Sequence, residues 1–139
     1  MRARLVQTPF DTPPRFVRET EHGTLEMWID RPGWLLSRAR GRFDLGHCSV
    51  MLRAGDEALQ MASSIRFVHD WREVTAFDPM VPVYLAGWAA RHARSVEHST
   101  IVTRSPLVTM TARAANVTLK NLLLIATDDT WLERAFTTW

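Results

Sequence analysis

The sequence predicts an α/β layered fold. An N-terminal β-hairpin leads into βα repeats, the sheet is mixed with a parallel second half, and helices cover it. Three observations carry this. Short apolar runs, IRFVHDW (65–71), STIVTR (99–104) and NLLLIAT (121–127), alternate with segments of helical period. The pairs Asp78-Pro79 and Ser105-Pro106 each join a capping residue to a proline, the signature of a helix start. Two strand-like runs flank Pro32-Gly33, a hairpin turn signal.

Taken in order, residues 1–23 hold three of the seven prolines and read as an extended lead-in, so the expected domain is 24–139. TLEMWID (24–30) alternates Leu25, Met27 and Ile29 with largely polar neighbours, and WLLSRARGRF (34–43) returns as the second hairpin strand. Asp44 is placed to cap a helix running to about Ser64, with Leu45, Cys48, Leu52, Leu59 and Ala62 on its inner face. Gly55, inside that helix, costs roughly 1 kcal/mol against Ala. After the strand 65–71, residues 72–78 read as a loop. The helix 80–96 then buries Val81, Tyr84, Leu85, Trp88, Ala89, His92 and Val96. Helix 107–120 turns Val108, Ala112, Ala115 and Leu119 inward, and the run LLLI suits a strand covered on both faces. A last helix, capped by Asp128 or Asp129, buries Leu132, Ala135, Phe136 and Trp139.

The bulk properties exclude several classes. At 139 residues the chain is one domain able to bury a core without disulfides or metals. A net charge of +2, with the arginines spread along the chain, does not describe a nucleic-acid binder. All but one of the 17 basic residues are Arg, the exception being Lys120. That skew reflects the codon bias of a GC-rich bacterium more readily than phosphate recognition. Cys48 is alone, which leaves no disulfide and no cysteine zinc site and fits a reducing compartment. The start MRARLVQTPF lacks the apolar run of a signal peptide, and no stretch approaches 18 apolar residues. The expected location is the cytoplasm.

Parallel α/β sheets gather ligands at the carboxyl ends of their strands. Here those ends carry Asp70, Arg72, Arg104 and Ser105, with Thr75 and Asp78 on the intervening loop. Helix N-termini near 79, 106 and 129 also point to this edge and attract anions. An anionic group would be held near Arg72, Arg104 and Ser105. Asp78, Ser105 and Asp128 are equally explained as helix caps. Catalysis finds little support, although Asp70 and Asp78 as paired carboxylates with Ser105 form a third reading, an enzyme. There is no G-x-S-x-G, P-loop or G-x-G-x-x-G, and Ser105, the best-placed hydroxyl, has no histidine on its edge. His69 and His92 read as core or boundary residues, and the five histidines lack metal-ligand spacing. No cofactor and no metal is expected. Trp88 reads as core. The other five, Trp28, Trp34, Trp71, Trp131 and Trp139, are core in the ordinary case, and those of them near the surface are candidates for an interface with a partner or a second copy.

Residues 65–80 resemble the central segment of STAS domains, the family of sulphate-transporter tails and anti-sigma factor antagonists with the SpoIIAA-like fold. That segment is a short apolar strand ending in Asp, a loop of about seven residues, and Asp-Ser-Ser-Gly opening a helix. Asp70 matches the strand-end Asp, Val74 and Phe77 the apolar loop positions, and Asp78 the Asp before the switch serine. The element order over 24–139 also fits, and it is similar to the small bacterial proteins called STAS/SEC14-like. The resemblance implies a non-enzymatic cytoplasmic signalling module that binds a protein partner, of the anti-sigma factor or kinase type, through loop 72–79 and the adjacent helix starts. Pro79 and Met80 stand where the family carries its phosphorylated serine, so that switch cannot operate there. Thr75 and Ser105 are the nearest other hydroxyls. The Sec14 side of the resemblance implies an alternative, a carrier of a small apolar or lipid ligand with helix 45–62 as its lid.

Overall fold

The structure is a computed structural model that describes residues 9–128, 130 and 131. Six strands form one sheet: β1 (Phe16–Glu19), β2 (Gly23–Ile29), β3 (Trp34–Phe43), β4 (Ile65–Phe77), β5 (Val96–Thr103) and β6 (Leu123–Ala126). Three helices connect the later strands: α1 (Leu45–Met61), α2 (Val81–Arg91) and α3 (Pro106–Thr118). The strands lie side by side in chain order. β1, β2 and β3 pair antiparallel, while β3 to β6 pair parallel. This is the mixed sheet with a parallel second half that the sequence predicts.

Strand order decides where the helices go. Each parallel crossover is right-handed, and each steps to the next strand in the same direction. All three helices must therefore lie on one face. The core agrees: Cys48, Met51, Ala54 and Ala58 of α1, Val81 and Trp88 of α2, and Val108 and Ala112 of α3 pack with Leu35, Phe43, Phe67, Trp71 and Ile101 of the sheet. The opposite face has a smaller apolar cluster, in which Phe10, Trp28 and Trp34 cover Leu36, Val68, Val102 and Ala126, with Trp131 against its edge. The expected lead-in thus contains a short 3-10 turn, Pro9–Asp11, that supplies Phe10, and an edge strand, β1.

The hairpin strands fall within a residue of their expected bounds, joined through Gly33 at φ +91°. Other elements differ. The buried face of α1 is His47, Cys48, Met51, Ala54, Gly55 and Ala58, and Leu45 is half-exposed. The predicted face followed the large side chains, but this helix packs closely through its small ones. A Cβ on Gly55 would lie 2.7 Å from the Trp88 ring, whose Nε1–H donates to Asp56 at 2.9 Å. We expect Gly55→Val to destabilise the fold by about 2 kcal/mol through overpacking. Denaturant unfolding checks this, and an unchanged midpoint would show that Trp88 yields freely.

α2 ends at Arg91, five residues before its expected end, because Val96 is drawn into β5 opposite Ile65. β6 is an edge strand with Leu124 half-exposed, not a strand covered on both sides. Trp28, Trp34 and Trp71 are buried, which is the core reading and removes them as interface candidates. Asp128 accepts hydrogen bonds from the Thr130 amide and hydroxyl where the last helix was expected. Asp129, Leu132, Ala135, Phe136 and Trp139 lie outside the described residues. None of the described helices is long and apolar enough to cross a membrane.

Candidate functional site

The expected loop 72–78 is mostly strand. β4 runs on through Phe77 because β3 is long enough to pair with it, through Arg40–Glu73, Gly41–Val74, Arg42–Ala76 and Phe43–Phe77. Between the pairs Arg38–Asp70 and Phe43–Phe77, β4 runs two residues longer than β3, and bulges absorb the excess. The first bulge re-aims side chains. Trp71 and Val74, three apart, both enter the helix-side core. Arg72 and Glu73, adjacent in sequence, both line a pocket on the opposite face.

That pocket has a volume of about 340 Å³ and is lined by Arg38, Arg40, Asp70, Arg72, Glu73 and Arg104. Period-two alternation places it: Leu36, Val68 and Val102 lie in the open-face cluster, and Arg38, Asp70 and Arg104 follow two residues on. Asp70 is its centre and is only 4% exposed. Its Oδ1 accepts from Arg72 Nε at 2.8 Å, and its Oδ2 from Arg72 Nη2 at 2.9 Å and Arg38 Nε at 3.1 Å. Burial alone would raise the Asp70 pKa. The Arg72 and Arg38 guanidiniums outweigh it and hold the carboxyl below its ordinary value. Arg40 Nε pairs with Glu73 at 2.9 Å, and the Arg38 guanidinium lies over the Phe10 ring at 4.4 Å.

On the helix side lies an apolar cavity of about 120 Å³ between the sheet, α2 and α3. Phe67, Trp71, Leu85, Trp88, Ile101 and Val108 are among its walls, and His69 is one of its few polar ones. The His69 ring is held from behind. Trp71 Nε1–H donates to Ser37 Oγ at 3.1 Å, and Ser37 Oγ is also hydrogen-bonded to His69 Nδ1, 2.6 Å away. Burial pushes the His69 pKa down to about 4. At the start of α1, Asp44 and His47 form a capping box, with the Asp44 amide donating to His47 Nδ1 at 3.0 Å. Burial lowers the His47 pKa as well, and the nearby Arg18 adds to this.

The six residues expected to form one binding edge are thus divided. Asp70, Arg72 and Arg104 meet in the open-face pocket. Thr75 is exposed on β4. Ser105 does cap α3, accepting from the Val108 amide at 3.3 Å. Asp78 does not cap α2: that helix begins at Val81 after Met80, and Asp78 instead closes the preceding turn, accepting from the Met80 amide at 2.9 Å. Arg38, Arg40 and Glu73 were missed. Their signal was the alternation Leu36, Arg38, Arg40 on β3, which sets two arginines on one strand face beside Asp70. Among the described residues, no group of three or more His, Cys, Asp and Glu side chains is arranged to hold a metal.

No family model matches the sequence, and no curated protein matches it. Among solved structures, the chain is similar to an uncharacterized protein of the DUF3478 family with a SpoIIAA-like fold, from Shewanella loihica PV-4. The TM-score is 0.60 and the identity 17%, and the match covers 81% of this chain and 92% of that one. The resemblance drawn from residues 65–80 and the element order is therefore borne out at the level of the fold: this chain has the SpoIIAA-like architecture.

Proposed function

We propose that the protein is a non-enzymatic regulatory module that binds a protein partner across the starts of α2 and α3. The observation that carries this is an exposed apolar group at one edge of the molecule. Met80 just before α2, and Val83 and Tyr84 on it, are 44%, 57% and 50% exposed, and Leu107 and Met110 on α3 are 48% and 66% exposed. The two helices follow the adjacent parallel strands β4 and β5 and contact one another. Large apolar side chains gathered in this way on a small domain mark an interaction surface. The SpoIIAA-like fold supports a partner of the anti-sigma factor or kinase type. With Pro79 and Met80 at the switch position, the contact is not gated by a phosphoserine there.

The test is affinity capture from the native host's lysate with wild type and with the double variant Val83→Asp, Met110→Asp. We expect wild type to retain a signalling protein that the variant loses, with both proteins equally folded. Capture of the same proteins by both would remove the assignment. A shift from dimer to monomer in the variant, seen by sedimentation, would reassign the patch to a second copy of this chain.

The helix-side cavity favours a second reading, the binding of a small apolar molecule. Its volume of about 120 Å³ approaches the ~150 Å³ of an engineered apolar cavity that takes up benzene. It is well below the ~300 Å³ at which ordinary ligand sites begin, so it suits a compact molecule and not a lipid chain. Only Met51 and Leu52 of α1 reach it, so α1 does not form a lid. A small organic molecule co-purifying with the protein would favour this reading.

A further inference from the structure

We propose that the helix-side cavity binds a compact uncharged molecule with an apolar ring and a single hydroxyl, a phenol by class, and that His69 and Ser99 pair with that hydroxyl. The proposal rests on the second reading above, the binding of a small apolar molecule. It goes further by giving the ligand a polar group and naming the side chains that recognise it.

The ligand is uncharged because its surroundings are. No Asp, Glu, Lys or Arg lines the cavity. Its histidine is held neutral, since burial pushes the His69 pKa down to about 4. A charged molecule entering here would lose its hydration and meet no opposite charge. The volume of about 120 Å³ limits the body of the ligand to roughly one small ring. Phe67 and Trp88 meet edge to face in the wall, with ring centroids 5.7 Å apart and planes at 86°. Such an aromatic corner suits a flat ring.

The polar groups are few, and most are engaged elsewhere. Both indole N–H groups in the lining have partners: Trp71 donates to Ser37 and Trp88 to Asp56. His69, Ser99 and Thr111 remain. Thr111 belongs to the α3 wall and is half-buried. His69 and Ser99 are only 7% and 6% exposed. His69 meets Ser37 through Nδ1, while its Nε2 has no hydrogen-bond partner among the described residues. The Ser99 hydroxyl has none among them either. The strand register pairs Phe67 with Ser99 and His69 with Ile101, so His69 and Ser99 are diagonal neighbours on one face of the sheet. Native interiors pair their buried polar groups. Two that stay open toward one apolar cavity mark the place of a ligand's polar atom.

The chemistry of these two groups selects a hydroxyl. A neutral imidazole nitrogen donates in one tautomer and accepts in the other, and a serine hydroxyl does both. A ligand hydroxyl also does both, so it pairs with Ser99 and with His69 in either tautomer. A carbonyl or ether oxygen only accepts and fails with one of the tautomers.

Calorimetric titration of the full chain tests this, with phenol, toluene and benzoate as probes. Toluene keeps the shape of phenol with a methyl in place of the hydroxyl, and benzoate carries a charge. Ser99→Ala and His69→Leu are the variants, and thermal unfolding without ligand verifies that each folds. Ser99→Ala removes one oxygen and adds no bulk, so it carries the test even if His69→Leu does not fold. We expect one saturable phenol site in wild type and no benzoate binding. Ser99→Ala should weaken phenol about tenfold through loss of one hydrogen bond, and bind toluene at least as tightly as wild type does. Toluene binding without phenol binding, or a phenol affinity that neither variant moves, would overturn the hydroxyl assignment and leave the apolar reading standing. Benzoate binding as tight as phenol would overturn the uncharged ligand. Binding of neither phenol nor toluene would overturn this proposal and the apolar reading together.

Discussion

Asp70→Asn is expected to lower stability by about 3 kcal/mol at neutral pH. The asparagine keeps the shape of the aspartate but removes the charge that Arg38 and Arg72 were folded around. Both arginine side chains are only 26% exposed, so water relieves the loss incompletely. Breaking a buried pair by removing one member costs about 3–5 kcal/mol, and the partial exposure of the arginines places this case at the lower end. Denaturant unfolding at neutral pH measures the change. A loss below about 1 kcal/mol would show that the network behaves as a surface ion pair. The pH dependence gives a second readout. Because the folded pKa lies below the ordinary 3.8, the contribution is fully present above about pH 4 and is lost as pH falls through the folded value. Asp44, whose burial is likewise outweighed by its hydrogen bonds and neighbouring cations, loses its contribution in the same acid window.

His69 sets a separate and higher window. Its pKa in the fold, about 4, is below the ordinary 6.5, so the folded protein resists a proton that the unfolded chain accepts. Stability from this group is therefore complete above pH 6.5 and declines as pH falls toward 4. Each pKa unit corresponds to about 1.4 kcal/mol, which makes the full loss about 3 kcal/mol. His69→Gln removes the titration and leaves an amide that can donate to or accept from Ser37 Oγ. Stability measured from pH 7 to pH 4 should fall about 3 kcal/mol further in wild type than in the variant. His47, also held neutral, contributes to both proteins and cancels in the comparison. Parallel profiles for the two proteins would mean that His69 is protonated without cost, through water reaching the cavity.

What the sequence revealed followed the range over which each signal acts. The hairpin was legible because alternation and Pro-Gly are local, and the start of α3 because Ser105-Pro106 is self-contained. The extension of β4 was not legible, since whether Arg72 to Phe77 form strand depends on the reach of β3, a distant segment. The inner face of α1 was legible only in part, with Cys48 on it and Leu52 and Leu59 packed at its side, for a related reason. Gly55 and Ala58 face inward to admit Trp88 and its neighbours, a requirement set by another helix. Asp70, Arg72 and Arg104 could be placed at strand ends. Arg38, Arg40 and Glu73 became visible only with the register of β3 on β4, because the pocket is assembled across strands and not along one.

The agreement between strand order and chain order also bears on how the molecule forms. No strand has to be inserted between two already paired, so each βα unit can add to the edge left by the one before it. Every strand pairing joins elements consecutive in sequence, which keeps the closure entropy of each step small. A chain emerging from the ribosome can then build its sheet by accretion, from the hairpin outward to β6, without waiting for its last residues.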